Sequence, residues 1–116
     1  MLRILPLLIV LIVSSCSSRQ TIVVYSPHGA DMLRDYEKLF EEAHPDIDLQ
    51  WLDMGSKDVF SRVSAERNRP SCDVWWGAPS TFFAQAADED LLAAYKPSWW
   101  EDVDEDYRDS EDRWYG

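Results

Sequence analysis

The stretch "TIVVYSPHGADMLRDYEKLFEEAHPDIDLQWL" (residues 21–52) decides the fold, because it contains a strand, a helix and a second strand in that order. Its first five residues form a compact β-branched run, which is typical of a strand buried on both faces. From Asp31 onward apolar residues recur with a period close to 3.6, which predicts a helix that Pro45 stops. Residues 47–52 then alternate apolar and polar side chains, as a strand nearer the edge of a sheet does.

The next section of the chain repeats this pattern. Ser56 is predicted to be the N-cap of a second helix, and Cys72 to Trp76 are predicted to form a third, buried strand. Pro79 suits the first position of a third helix, "PSTFFAQAADEDLL". The order β-α-β-α-β-α is that of an α/β domain with a parallel sheet covered by helices.

The N-terminus, "MLRILPLLIVLIVSSC" (1–16), is predicted to be an export signal. Its apolar run is shorter than the ~20 residues that span a membrane, and small residues follow it. The step into Cys16 resembles the lipobox of bacterial lipoproteins, in which the signal is cut before an acylated cysteine. We therefore expect a signal peptide at 1–15 and an acylated Cys16 with a tether at 16–20, anchoring an exported protein at the cell envelope. The alternative is an ordinary secretory signal with a chance cysteine.

The composition is strongly acidic, with 22 Asp and Glu against 11 Lys and Arg. Nucleic acids require a basic surface, so they are excluded as partners. The acidic run at 101–112 lacks the glycine of a calcium loop and is interpreted as a solvated surface segment. If Cys16 is acylated, Cys72 has no disulfide partner and is expected to be a small buried apolar residue.

A ligand site is expected beyond the carboxyl ends of the three strands, where open parallel sheets bind their ligands. Three junctions lie there: "YSPHG" (25–29), "MGS" (54–56) and "WWGAPS" (75–80). Each offers small or hydroxyl residues and free backbone amides at a helix start, a combination that attracts anions. The sequence contains none of the glycine-rich, hydrolase or metalloprotease motifs of enzymes, so neither catalysis nor a cofactor is predicted.

Individual residues at these junctions have competing interpretations. His28 is either a ligand or a solvated loop residue, and Ser56 either caps its helix or contacts ligand. Trp75 and Trp76 point to opposite faces of their strand. One is therefore expected in the core, and the other, nearest the Gly77 corner, in a pocket.

Residues 21–116 resemble the bacterial extracellular solute-binding proteins of ABC importers, in the branch that takes up iron(III), thiamine, polyamines and organophosphates. The resemblance depends on "VYSPHG", "F-x-x-x-x-P-D-I" from Phe40 to Ile47, "GS" before a helix, "DVWWGAP" and "LLAAYKP". It implies two α/β lobes that trap a solute between them, with no catalysis. Because such proteins are much longer, we expect an incomplete N-terminal fragment that carries the first lobe.

The resemblance also implies a set of site residues and partners. Residues 21–95 would be the first lobe and 96–116 an acidic, Trp-rich connection toward the second, where iron binders carry a tyrosine pair. The solute would be iron(III) or a small anionic or phosphorylated compound, and His28 would be a metal or anion contact. The expected partners are the ABC permease subunits and the membrane that holds the lipid anchor. The implied ligand contacts are Ser26, Pro27, His28, Gly29, Gly55, Ser56, Trp76, Gly77, Ala78 and Ser80.

Two other functions remain open at this point. The chain could be an acidic surface lipoprotein that binds a partner protein through Trp99, Trp100 and Trp114, since exposed aromatic residues mark interfaces. It could also be an α/β enzyme that uses His28 with a neighbouring carboxylate.

Overall fold

The computed structural model describes residues 18–116, so the predicted signal peptide and Cys16 lie outside the described residues. The predicted order β-α-β-α-β-α is confirmed, and no helix within 18–116 is long and apolar enough to cross a membrane. Two short 3₁₀ turns follow, at Trp100–Asp102 and Glu105–Tyr107. The elements are β1 (Gln20–Ser26), α1 (Ala30–Ala43), β2 (Ile47–Asp53), α2 (Ser56–Ala65), β3 (Val74–Trp75) and α3 (Ser80–Asp88).

The three strands form one parallel sheet in the order β2-β1-β3. β1 and β2 pair along their whole length, from Gln20 opposite Ile47 to Ser26 opposite Asp53. β2 therefore lies at an edge, as its alternating pattern predicts. β1 is central, and its last residues are the most buried part of the sheet.

The third strand is much shorter than predicted, and the expectation of a buried strand from Cys72 to Trp76 is wrong. Only Val74–Trp75 pairs with β1, and Val74 is 47% exposed. Before the pairing begins, the carboxylate of Asp73 accepts a 2.8 Å hydrogen bond from the Val23 amide, so a side chain takes the place of a backbone partner. Because β3 is an edge strand, its outer side lacks a neighbour among residues 18–116, and Val74 has little to bury against.

The core lies between the sheet and one face of each helix. Leu33 of α1 and Val59 of α2 are almost completely buried, and so are Ala86 and Ala87 of α3. The predicted inner face of α1 is only partly right, because Tyr36 and other residues that share its period remain exposed. Only the side of α1 that holds Leu33 contacts the sheet. The exposed apolar residues of this helix are Met32, Tyr36 and Leu39.

The helix ends differ from the predictions by a few residues. Gly55 rather than Ser56 is the N-cap of α2, and Pro79 is the N-cap of α3 rather than its first residue. α3 also ends at Asp88, four residues before the predicted end. Asp90 adopts a left-handed conformation there (φ 55°), and the amide of Leu91 donates to the carbonyl of Ala86, an arrangement that closes a helix.

The C-terminal segment, residues 96–116, is irregular as predicted but packs on the preceding unit. Arg113 forms an ion pair with Asp109 and donates a 3.1 Å hydrogen bond to the Ala87 carbonyl at the end of α3. Arg108 lies over the ring of Trp100, which is only 4% exposed. Of the three tryptophans in the partner-binding hypothesis, Trp100 is therefore buried, whereas Trp99 is exposed.

Candidate functional site

The sheet brings all three predicted junctions to the same end, beyond the carboxyl ends of its strands. Ser26 at the end of β1 pairs with Asp53 at the end of β2, and the Met54 amide donates to the Ser26 carbonyl at 3.2 Å. On the other side, the amide of Trp76 donates to the carbonyl of Tyr25 at 2.9 Å. Parallel strands place their carboxyl ends together, so the three helices all start at this end of the sheet. The surface formed by these three junctions is called the rim below.

The side chain of His28 is held by residues from two of these junctions. Its ring stacks on Trp76, with the ring centroids 4.5 Å apart and the planes 26° apart. Its Nδ1 lies 2.8 Å from the hydroxyl oxygen of Ser26. Gly77, at φ +90°, leaves the space that the imidazole fills, because a Cβ there would lie 2.7 Å from Nδ1 and closer still to Cε1. His28 is an exposed residue in a defined orientation.

Two further aromatic rings surround Trp76, and sequence reasoning assigned neither to the site. Tyr36 of α1 meets it edge-on at 5.0 Å, and Trp51 of β2 lies 5.7 Å away. Both residues fit the periodic patterns of their elements. Such a pattern indicates that a side chain packs against the rest of the molecule, but it does not indicate that its partner is Trp76. The cluster of His28, Tyr36, Trp51 and Trp76 is called the aromatic cluster below.

The two adjacent tryptophans have different partners, as strand alternation predicts. Trp75 packs against Phe83 of α3 at 4.7 Å and donates its indole N–H to the Gly77 carbonyl at 3.1 Å. Trp76 belongs to the aromatic cluster instead. Trp75 is therefore a packing residue under α3, and Trp76 faces the junction that holds His28.

The starts of the three main helices lack side-chain caps. Gly29, Gly55 and Pro79 occupy the N-cap positions, and none of them has a side chain that accepts a hydrogen bond from the first turn. The first amides of a helix have no partner within the helix. The Asp58 amide donates to the Gly55 carbonyl and the Phe82 amide to the Pro79 carbonyl, so only the amides before them are left to donate to an anion at the rim. The positive ends of the helix dipoles also point there.

An open groove of about 1010 Å³ runs beside β3. Four of the predicted contacts line it: His28, Trp76, Gly77 and Ala78. Its volume is at the upper end of the range of about 300–1,000 Å³ typical of small-molecule pockets. The other six predicted contacts lie on the rim outside its wall, and Ser26 is fully buried.

The titratable groups beside β3 are held by hydrogen bonds within the lobe, and two of them, Cys72 and Glu66, also line the groove. Burial raises the pKa of the Cys72 thiol to about 11, so it stays protonated and donates to the Val74 carbonyl. Burial also raises the pKa of Tyr25, whose hydroxyl donates to Glu66 and accepts from Arg62. Within residues 18–116, no group of three His, Cys, Asp or Glu side chains is placed to hold a metal ion.

Comparisons with known proteins show what the chain is related to. No protein-family profile matches it. It is 34% identical over 91 residues to a probable ABC transporter periplasmic-binding protein, y4fP, of Sinorhizobium fredii, covering 78% of this chain. The chain is a homologue of the periplasmic binding proteins of ABC importers. It spans 25% of that relative's length.

Solved periplasmic binding proteins have the same fold. The periplasmic binding protein AfuA of Actinobacillus pleuropneumoniae, solved with fructose-6-phosphate, is 28% identical, with a TM-score of 0.70 over 78% of this chain and 28% of that one. Iron-bound HitA of Pseudomonas aeruginosa has a TM-score of 0.76 over 84% of this chain and 31% of that one, at 22% identity. The described α/β unit thus corresponds to part of one lobe of a two-lobe fold, and these relatives are binding proteins rather than enzymes.

Proposed function

We propose that this chain provides the first lobe of a solute-binding subunit of an ABC importer. The solute is iron(III) or a small anionic or phosphorylated compound, held between two lobes and delivered to the permease. The observation that carries the proposal is the fixed His28 at the rim, between Ser26 and Trp76. Two of the similar solved structures support it, since AfuA was solved with fructose-6-phosphate and HitA with iron.

The proposed contacts divide among the three helix starts. Pro27, His28 and Gly29 lie before α1, and Gly55 and Ser56 lie at the start of α2. The start of α3 contributes the remaining four, of which Trp76 belongs to the aromatic cluster. Because Ser26 is fully buried, it acts on the solute through His28. The α3 contacts are Trp76, Gly77, Ala78 and Ser80, and the lobe itself is assigned to residues 21–95, with 96–116 as the connection.

A binding titration of the full chain tests this proposal. The probes are inorganic phosphate, fructose-6-phosphate and iron(III) citrate, each followed by tryptophan fluorescence. We expect His28→Ala and Trp76→Ala to weaken binding of the preferred probe at least about tenfold, which is about 1.4 kcal/mol. Trp99→Ala is the matched control, because it removes an exposed tryptophan that lies outside the aromatic cluster and meets the Tyr115 ring edge-on.

Circular dichroism of each variant shows that lost binding is not lost folding. The proposal is wrong if none of the probes binds, or if Trp99→Ala weakens binding as much as Trp76→Ala does.

We further infer that the protein is periplasmic and anchored through acylated Cys16. The lipobox-like step into Cys16 supports the anchor, and the similarity to the probable periplasmic-binding protein of Sinorhizobium fredii supports the periplasmic location. Metabolic labelling with a palmitate analogue tests the anchor. Cys16→Ser is expected to abolish the label, and Cys72→Ser, which removes a half-buried thiol, is expected to retain it. Label that survives Cys16→Ser would refute the anchor.

A further inference from the structure

The hydroxyl group of Ser26 has a single partner in the structure. Ser26 is fully buried at the end of β1, and its oxygen lies 2.8 Å from Nδ1 of His28. The hydroxyl hydrogen has no other acceptor among residues 18–116. A buried donor that lacks an acceptor is costly, so the hydrogen is expected to point at His28.

This geometry distinguishes the two neutral forms of the imidazole. If Nδ1 carries no proton, the Ser26 hydroxyl donates to it, and both groups are satisfied. If Nδ1 carries the proton, it donates to the Ser26 oxygen, and the hydroxyl hydrogen is left buried without an acceptor. The imidazolium form has the same defect. The satisfied arrangement therefore leaves the proton on Nε2.

The His28 ring is also held against rotation. The Trp76 ring covers one side of it, and the imidazole occupies the place where a Cβ on Gly77 would be, since such a Cβ would lie within 2.9 Å of Cε1, Nδ1 and Nε2. Nε2 makes no hydrogen bond to another described residue, and His28 is exposed and lines the groove. The group that the rim presents to a solute is therefore an N–H donor in a fixed direction.

We propose that Ser26 is a positioning residue that holds His28 in its Nε2–H form, so that the site selects an oxyanion over a bare metal ion. This inference depends on the proposed function of the rim. An Nε2–H group donates to a phosphate oxygen, as do the free amides at the helix starts. A metal ion requires an unprotonated nitrogen, and at Nε2 it would force the proton onto Nδ1 and leave the Ser26 hydroxyl unsatisfied.

The tautomer is measured directly, without any ligand, in the full chain labelled with ¹⁵N-histidine. Long-range ¹H–¹⁵N correlations at neutral pH distinguish the two forms, His28→Gln identifies the His28 signals, and His44 is the internal reference. We expect the Nε2–H pattern in the wild-type chain and in Ser26→Thr, and a mixture of tautomers in Ser26→Ala. A wild-type His28 in the Nδ1–H form overturns the role of Ser26, whatever the variants do.

Two probes, read at the His28 signals, then test the selectivity. Ser26→Ala is expected to weaken binding of inorganic phosphate several-fold and to strengthen binding of Zn²⁺ several-fold. A purely structural role of Ser26 would weaken both, and that result overturns the inference. A chain in the Nε2–H form that binds no phosphate overturns the oxyanion assignment together with the proposed function. A chain in the Nδ1–H form that still binds solute overturns only the role of Ser26.

Discussion

The two sides of the central strand are built differently. Toward β2, all seven residues of β1 have a backbone partner. Toward β3, only Val24 and Tyr25 lie opposite a strand residue, and the Val23 carbonyl accepts a 2.9 Å hydrogen bond from the Asp73 amide. A side chain supplies the acceptor for the Val23 amide on this side, since the Asp73 carboxylate accepts its hydrogen bond.

The weakly paired side contributes four of the ten proposed contacts, as many as the β1 junction does. Trp76, Gly77 and Ala78 follow directly after the two paired residues of β3. The position of the imidazole thus depends on ring stacking and one hydroxyl contact more than on sheet hydrogen bonds. The geometry of the candidate site is therefore set mainly by side chains, whereas the β1–β2 unit that supports it is set by backbone pairing.

The largest expected effect concerns the fully paired side. Leu33→Ala removes a side chain that is 2% exposed, and it should lower the free energy of unfolding by about 2–5 kcal/mol. Leu39→Ala on the same helix removes a side chain that is 64% exposed and should change stability by less than about 0.5 kcal/mol. Urea unfolding measures both. Equal losses would mean that α1 does not pack as described.

Alanine substitutions at two glycines with similar φ angles allow the β1 and β3 junctions to be compared. Gly29 and Gly77 both have positive φ, so an alanine at either position costs about 1–2 kcal/mol. Only at Gly77 would the new Cβ also collide with His28, since nothing lies within 4 Å of the corresponding position at Gly29. We expect Gly77→Ala to lose more stability than Gly29→Ala and to shift the His28 NMR signals. Identical losses with unmoved signals would contradict the close packing.

Substitutions of Asp73 test the hydrogen bond that its carboxylate accepts from the Val23 amide. Asp73→Ala leaves the Val23 amide without its acceptor and should lower the free energy of unfolding by about 1 kcal/mol. Asp73→Asn keeps an acceptor oxygen and should cost less. Hydrogen exchange at the Val23 amide should become faster in the alanine variant, and unchanged exchange would show that this contact does not protect β1.

The smallest expected effect is a dependence on pH. Burial alone would raise the pKa of Glu66, but hydrogen bonds from Tyr25 and Arg62 lower it overall. A depressed folded-state pKa stabilises the protein above the unfolded-state value of about 4.3, and this stability is lost as the pH falls through the folded-state pKa. Glu66→Gln should therefore cost about 1 kcal/mol at neutral pH and much less in acid. Unfolding curves across this range measure the difference, and a constant difference would exclude the linkage.

Much of the fold could be predicted because its signals are local. The β-branched run of β1 and the period of α1 each lie within one stretch of chain, and both elements form as expected. The length of β3 could not be predicted, since it depends on Asp73 reaching an amide of another strand. Local signals also failed at Asp90, whose left-handed conformation ends α3 early.

The candidate site divides in the same way. The sequence by itself determined the order of strands and helices, and a parallel sheet necessarily brings the ends of its strands to one edge. The tertiary structure alone decided that the His28 ring lies on Trp76, with Tyr36 and Trp51 beside them. These residues are far apart in the chain, and their contacts depend on the sheet order and on how each helix packs. Periodicity reveals which face of an element is buried, but only packing determines which side chain it meets.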